Sequence, residues 1–303
     1  MARRYVIRQD AAPVAPISGI DYRTALNEEQ YAAVSSEPGP ALVIAGAGSG
    51  KTRTLTYRVA WLLDHGTDPW NILLLTFTNK AAREMTERVR SLIPLDLSRL
   101  WSGTFHSIAN RILRQHAEYL GYTPAFTIMD SDDRKSMIKS VVKSLKLDEK
   151  STRFPKPEVL SSLFSLADNE GANIRETQEN AYPYLSNHLD AILEVHDQYV
   201  ARKQETNSMD FADLLLNVLR PFQEQAHLRA LYGPRFPHLL VDEYQDTNFL
   251  QSRLIDMLAR EHGQLMVVGD DAQSIYSWRG ADMENILSFT TRYPAAKTFK
   301  IET

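Results

Sequence analysis

The run Ala45-Gly46-Ala47-Gly48-Ser49-Gly50-Lys51-Thr52, directly after the apolar stretch Leu42-Val43-Ile44, constrains this chain more than any other segment. Backbone N–H groups can curl around a polyanion only where side chains stay clear, which closely spaced glycines allow. Lys51 adds a positive charge for the β- and γ-phosphates, and Thr52 offers a hydroxyl to Mg²⁺. The helical spacing of Leu55, Val59, Leu62 and Leu63 follows, so the phosphates fall at a helix N-terminus. Such loops usually open on glycine; Ala45 is small enough to stand there. A glycine-rich run alone is often only a turn, so the reading rests on the Lys-Thr pair and on the flanking strand and helix. Residues Ala45, Gly46, Ala47, Gly48, Ser49, Gly50, Lys51 and Thr52 are the expected nucleotide contacts.

At 303 residues, 43% of them hydrophobic, the chain is long enough for two domains, or for one domain carrying an insertion. No apolar run approaches the roughly 20 residues of a membrane-spanning helix, and the start, with Arg3, Arg4 and Arg8, lacks a secretory apolar segment. Residues 1–20 read as a flexible tail. The absence of cysteine excludes disulfides, thiolate metal sites and cysteine nucleophiles, and suits a reducing, cytoplasmic interior. A net charge of −4 neither announces nor forbids nucleic-acid binding, which depends on local basic patches.

Short apolar strands alternate with amphipathic helices, which predicts an α/β fold with a mostly parallel sheet covered on both faces. The strands are expected at Leu42–Ile44, Ile72–Thr76, Leu100–Gly103, Phe126–Met129, Leu239–Val241, Leu265–Val268 and Thr298–Ile301. Between about Ser131 and Asn207 the strand signal vanishes and helical stripes replace it. We therefore expect residues 21–130 and 207–303 to be two segments of one α/β domain, with 131–206 an all-helical insertion. The last seven residues alternate like a strand just begun, which suggests a piece of something longer.

A second chemical element is Val241-Asp242-Glu243-Tyr244-Gln245-Asp246, which follows an apolar strand. Ligands bind at the C-terminal edge of open α/β sheets, so both acids are delivered there. Asp242 is placed to hold Mg²⁺ together with Thr52, and Glu243 to orient or deprotonate water. A third element, from Gly269 to Gly280, again begins at a strand end. In it Gln273 is placed to sense a γ-phosphate, and Tyr276 and Trp278, beside Arg279, offer a platform for unpaired bases. Tyr and Trp are also common core residues, and that alternative stays open for the pair taken alone.

Seven motifs in order carry a strong resemblance to the UvrD/Rep/PcrA family of superfamily 1 DNA helicases. They are Leu26–Gln30, the phosphate loop, Thr76–Ala82, Gly103–His106, Met209–Leu215, Val241–Asn248 and Gly269–Asp282. The resemblance implies a RecA-like P-loop NTPase domain that uses ATP and Mg²⁺. It implies that Gln30 reads the adenine edge with Arg53 beside the base, and that Lys51, Glu243 and Gln273 serve hydrolysis. Phe77, Asn79, Thr104, His106, Tyr276 and Trp278 match positions lining a single-strand groove. Three of them also have plainer readings: Phe77 as core, Asn79 as a helix cap, His106 as a helix-start residue. Lys135, Lys139, Lys143 and Lys146 make a basic helical stripe, which is either a solvated face or a duplex contact.

The implied parent is an ATP-dependent helicase moving 3′→5′ on single-stranded DNA and at single-strand/duplex junctions, in repair or replication, with no membrane role. Rival readings are a nucleotide-dependent DNA-binding module and a helicase–nuclease subunit. The family motor has a second RecA-like domain that supplies further arginines. These residues alone are therefore expected to bind Mg-ATP weakly, hydrolyse it slowly and not unwind duplexes.

Overall fold

The computed structural model describes residues 16–147, 154–260, 262–270 and 284–302. Its main sheet has six parallel strands: β1 (Ala41–Ala45), β2 (Ile72–Thr76), β3 (Trp101–Thr104), β6 (His238–Val241), β7 (Leu265–Gly269) and β8 (Lys297–Ile301). Their spatial order is β3-β2-β6-β7-β1-β8. The chain passes from β1 to β2 over the places later taken by β6 and β7. The residues following β1, β6 and β7 thus meet at one edge, although they lie far apart in sequence.

Period-two alternation divides each strand between two cores. Leu42, Leu73, Leu75, Leu239, Val241, Leu265 and Val267 pack beneath the helices Phe105–His116, Phe211–Glu224 and Phe249–Ala259. Ala41, Val43, Ile72, Leu74, Leu240, Met266 and Val268 face the helices Glu28–Val34, Lys51–Asp64 and Asn79–Leu92. Both faces are covered, so the inner strands read as unbroken apolar runs. The stripe Leu55, Val59, Leu62 and Leu63 is core, as its spacing predicts.

One expected strand departs from the main sheet. Residues Thr127–Ile128 (β4) pair with Ser208–Met209 (β5), a strand the alternation did not flag, in a separate two-stranded ladder. The ladder ties together the two ends of the helical segment. Asn207 reinforces it: its Oδ1 accepts from the Thr123 N–H (2.9 Å) and its Nδ2 donates to Thr123 Oγ1 (2.7 Å).

Between these ends lie the helices Ser131–Ser144, Pro157–Glu170, Ile174–Ala181 and Leu189–Glu205. They have an apolar cluster of their own around Ile138, Leu160, Leu163, Phe164, Ile192 and Val195. Gly171, at φ +64°, ends the second of them and packs on Phe249; a Cβ there would lie 2.2 Å from the ring. Asn248 Nδ2 donates to Asn169 Oδ1 beside this contact (3.3 Å). At the other end of the described chain, the Asp64 carboxylate accepts from the Ile17 and Ser18 N–H groups (2.7 and 2.8 Å). Residues 17 and 18 of the expected flexible tail are therefore anchored; residues 1–15 lie outside the described residues.

Candidate nucleotide site and the strand-end edge

The phosphate loop leaves β1 at Ala45, a buried residue still paired with Ile301, so no glycine is needed there. Gly50 is required by its backbone conformation. Its φ is +94°, and a Cβ on it would lie 2.5 Å from Gln30 Nε2. Beside Gly46 and Gly48 an added Cβ would meet no protein atom within 4 Å, so open space adjoins the loop at both. Ser49 is buried and closes the loop, with Oγ donating to the Gly46 carbonyl at 2.7 Å. The helix beginning at Lys51 has no side-chain cap, whereas those beginning at Asn79, Phe105, Phe211 and Phe249 are capped by Thr78, Thr104, Asp210 and Asn248. Its first-turn N–H groups, with the helix dipole behind them, form an anion site.

Lys51 crosses from this helix to the ends of β6 and β7. Its Nζ stands 3.5 Å from Glu243 Oε2 and 3.5 Å from Asp270 Oδ2, with the side chain only 10% exposed. Gln245 completes the group: Nε2 donates to Glu243 Oε2 (2.8 Å), and Oε1 accepts from the Asp270 N–H (3.0 Å). The two adjacent acids differ sharply in setting. Asp242 is buried, and its Oδ1 accepts from the Glu243 N–H at 3.1 Å. Glu243 keeps 37% of its side chain exposed and holds a left-handed backbone, φ 49° and ψ 46°, rare for a non-glycine residue. Asp242 is thus suited to an inner contact and Glu243 to one that water reaches.

Burial pushes the Asp242 carboxyl up to about 7, the Glu243 charge adds to this, and Lys51 opposes it. An acid whose folded value exceeds its unfolded 3.8 gives stability at low pH that is lost as pH rises through about 7. Asp242→Asn is therefore expected to stabilise the nucleotide-free protein at about pH 8, on the order of a few kcal/mol, with little effect near pH 4. Urea unfolding of both proteins at the two pH values checks this.

The donor set fits a magnesium–nucleotide. Thr52 and Asp242 offer hard oxygen donors, which Mg²⁺ prefers. Among the described residues no group of three or more His, Cys, Asp or Glu side chains forms a metal cage. An ion here would depend on phosphate oxygens and water for its remaining ligands, as Mg²⁺ on a nucleotide does.

Gln30 is buried beneath the loop, donating from Nε2 to the Ser49 carbonyl (3.0 Å) and accepting from the Asn27 N–H (3.4 Å). Arg53 lies beside it, with Nη2 donating to the Ala25 carbonyl at 2.7 Å. Both therefore brace the loop in this structure.

Four of the six expected DNA contacts can be placed, all on the C-terminal edge at β2 and β3. Phe77 is half-buried and packs edge-on against Phe105, with centroids 5.7 Å apart. Asn79 is exposed; the helix cap is its neighbour Thr78, whose Oγ1 accepts from the Ala81 N–H (3.0 Å). The capping alternative for Asn79 is corrected accordingly: a cap requires the residue before the first helical one, and Asn79 is that first residue. Thr104 caps its own helix through the Ser107 N–H (3.2 Å). His106 is half-buried, which lowers its pKa, and meets Phe211 edge-on at 5.6 Å. Gln273, Tyr276 and Trp278 lie outside the described residues.

Three residues that the sequence reading left without a role belong to this edge. Asp270 follows a buried strand just as Asp242 does, a signal that would have found it. Phe211 stands 56% exposed at a helix start, a costly place for a phenylalanine. Gln245 is 1% exposed, and its role depends on partners from two different strands. Lys139 and Lys143 lie exposed on the face of their helix away from Ile138, Val141 and Val142, and Lys135 donates to Asp132 Oδ1 at 3.0 Å. The expected stripe ends there: the helix stops at Ser144, and Lys146 lies past its end at φ 54°.

Comparison with known proteins agrees with this geometry. Residues 26–294 match the model of the UvrD/REP helicase N-terminal domain. A Staphylococcus aureus protein named ATP-dependent DNA helicase PcrA is 42% identical over 278 residues, covering 91% of this chain and 37% of that protein. Its Staphylococcus epidermidis counterpart is 43% identical over the same shares. The chain thus spans well under half the length of these relatives. With its phosphate loop, strand-end acids and parallel sheet, this chain belongs to the UvrD/REP helicase N-terminal domain family.

Proposed function

We propose that this chain is the nucleotide-binding first motor domain of a cytoplasmic, ATP-dependent DNA helicase that moves 3′→5′ along single-stranded DNA and unwinds duplexes in repair or replication. The observation that carries the proposal is Lys51 held between Glu243 and Asp270 at the mouth of an open glycine loop. In this reading the loop amides and Lys51 bind the phosphates of ATP. Thr52 and Asp242 would hold the metal, which when bound neutralises phosphate charge. Glu243 takes a proton from water, and Gln245 orients it. Gln30 and Arg53 border the base, and Gln273 senses the γ-phosphate. We assign residues 131–206 to a helical insertion that contacts DNA at single-strand/duplex junctions.

The single strand lies along the ends of β2 and β3, past Phe77, Asn79, Thr104, His106 and Phe211, toward Tyr276 and Trp278. Phe211→Ala is expected to weaken oligothymidylate binding by about 1–3 kcal/mol, the worth of one stacked base. Fluorescence anisotropy measures the change, and thermal melting shows whether the exposed site affects stability.

The proposal itself is tested by titrating labelled single-stranded DNA with and without a non-hydrolysable ATP analogue, on this chain and on a chain extended to the length of its relatives. We expect the analogue to change DNA affinity in both. We expect DNA-stimulated turnover only in the longer chain, because arginines supplied from outside are worth about 10³–10⁵ in rate in related phosphoryl-transfer enzymes. A DNA affinity indifferent to the analogue would refute the coupling. Rapid turnover by the short chain would refute its dependence on a second half.

A further inference from the structure

The helical segment meets the rest of the chain through buried charges as well as apolar surface. Asp210 and Asp213 open the helix Phe211–Glu224 with reciprocal bonds. Asp210 Oδ1 accepts from the Asp213 N–H (3.0 Å), and Asp213 Oδ2 accepts from the Asp210 N–H (2.8 Å). Side chains from three helices of the segment gather around this pair. Lys203 Nζ stands 2.7 Å from Asp213 Oδ2 and 3.4 Å from Asp210 Oδ2, and the Tyr199 hydroxyl donates to Asp210 Oδ2 at 2.8 Å. Arg134 Nε lies 3.6 Å from the same oxygen. Its Nη2 lies 3.6 Å from Asp168 Oδ2, and its Nη1 donates to Ser165 Oγ at 2.6 Å.

These charges do not balance. Two cations, Arg134 and Lys203, face three carboxylates, and none of the five side chains is more than 22% exposed. With all three acids ionised, the cluster carries an excess negative charge that water can do little to offset. Asp210 and Asp213 have the close partners, because Lys203 reaches both and each accepts a backbone N–H. Among the described residues the only ion pair of Asp168 is the one to Arg134, and its carboxyl lines a cavity of about 450 Å³ through which protons can reach it. Burial pushes that carboxyl up to about 7, with Asp210 adding to the rise and Arg134 and Lys203 opposing it. The other groups around the cluster leave this balance alone. Burial and the charge of Lys203 hold His196 below its usual range, and burial raises the Tyr122 and Tyr199 hydroxyls. Arg220 is paired with Glu224 at 3.3 Å, and Arg253 stands exposed.

Asp168 also sits where the segment is seated. Its neighbour Asn169 accepts from Asn248 Nδ2, and Gly171 packs on Phe249. We propose that loss of a proton from Asp168 loosens this seat, so that the helical segment grips the helices Phe211–Glu224 and Phe249–Ala259 more firmly in slightly acidic solution than in alkaline solution. An acid whose folded value lies above its unfolded 3.8 lends stability at low pH that fades as pH rises through about 7. Once ionised, Asp168 leaves the excess charge beside Asp210 and Asp213, and opening to water relieves it. The junction is independent of the nucleotide reading above.

Native-state hydrogen exchange on the whole chain tests this, read at amides of the helix Ser131–Ser144 and corrected for the intrinsic pH dependence of exchange. In the wild-type protein the opening constant there is expected to rise roughly tenfold from about pH 6 to about pH 8, the linkage expected for one such acid. In Asp168→Asn, which keeps the shape without the titration, that rise is expected to disappear. Asp242→Asn, which removes another acid raised to about 7, is expected to leave it in place. Should Asp168→Asn melt early, Asp168→Ser serves instead, with the same expectation. No rise in the wild-type protein, a rise that survives in the folded Asp168 variant, or one lost in Asp242→Asn overturns the proposal.

Discussion

Replacing Glu243 with glutamine is expected to slow ATP hydrolysis by about 10²–10⁴-fold in the extended chain while leaving Mg-ATP affinity equal or higher. The split follows from the two neighbouring acids. Glu243 is the one open to water, and Gln245 fixes its Oε2 at 2.8 Å. In the proposed site its negative charge also faces the phosphates, so neutralising it would remove a repulsion. Single-turnover hydrolysis alongside equilibrium nucleotide binding separates the two effects. Asp242→Asn should behave in the opposite manner, losing metal-dependent affinity first, because that carboxyl is the buried one.

Lys51→Ala is expected to lower turnover by roughly 10²–10³-fold and to weaken triphosphate binding as well. The side chain serves two states. Without nucleotide it holds Glu243 and Asp270 together, each 3.5 Å from Nζ; in the proposed nucleotide-bound state, phosphate oxygens would take their place. The alanine variant leaves these carboxylates facing each other without a cation, so its nucleotide-free form should also unfold at lower temperature. Lys51→Arg restores the charge but not the compact ammonium that fits between two acids, and is expected to rescue stability more than turnover. Calorimetric melting and steady-state hydrolysis on the three proteins resolve these outcomes.

The backbone frame was legible because its signals are local. Apolar runs, several ending in glycine or acid, marked the inner strands, and 3.6-residue stripes marked the helices that cover them. The phosphate loop needs no distant partner to be recognised. What escaped was whatever depends on the order of strands in space. Gln245 and Asp270 meet only because β6 and β7 are neighbours, and nothing in their spacing reveals it. The same limit applies to Phe126–Met129, whose alternation reads as a sheet strand but whose partner is the short β5 at the far end of the helical segment.

Side-chain roles were harder still. Phe77 is both core and strand-end, touching Phe105 on one side. Gln30 braces the loop through Ser49, a bond between residues on separate elements. Phe211 announced itself only by exposure, which a sequence does not display.

The most direct measurement is a crystal structure of the chain soaked with Mg²⁺ and a non-hydrolysable ATP analogue. Lys51 should then be found on the β- and γ-phosphates, released from Glu243 and Asp270. The Thr52 hydroxyl and the Asp242 carboxylate should share one metal, with Glu243 aimed at water beside the γ-phosphate. A nucleotide bound elsewhere, or Lys51 still held by its two acids with phosphate in the loop, would contradict the proposed site.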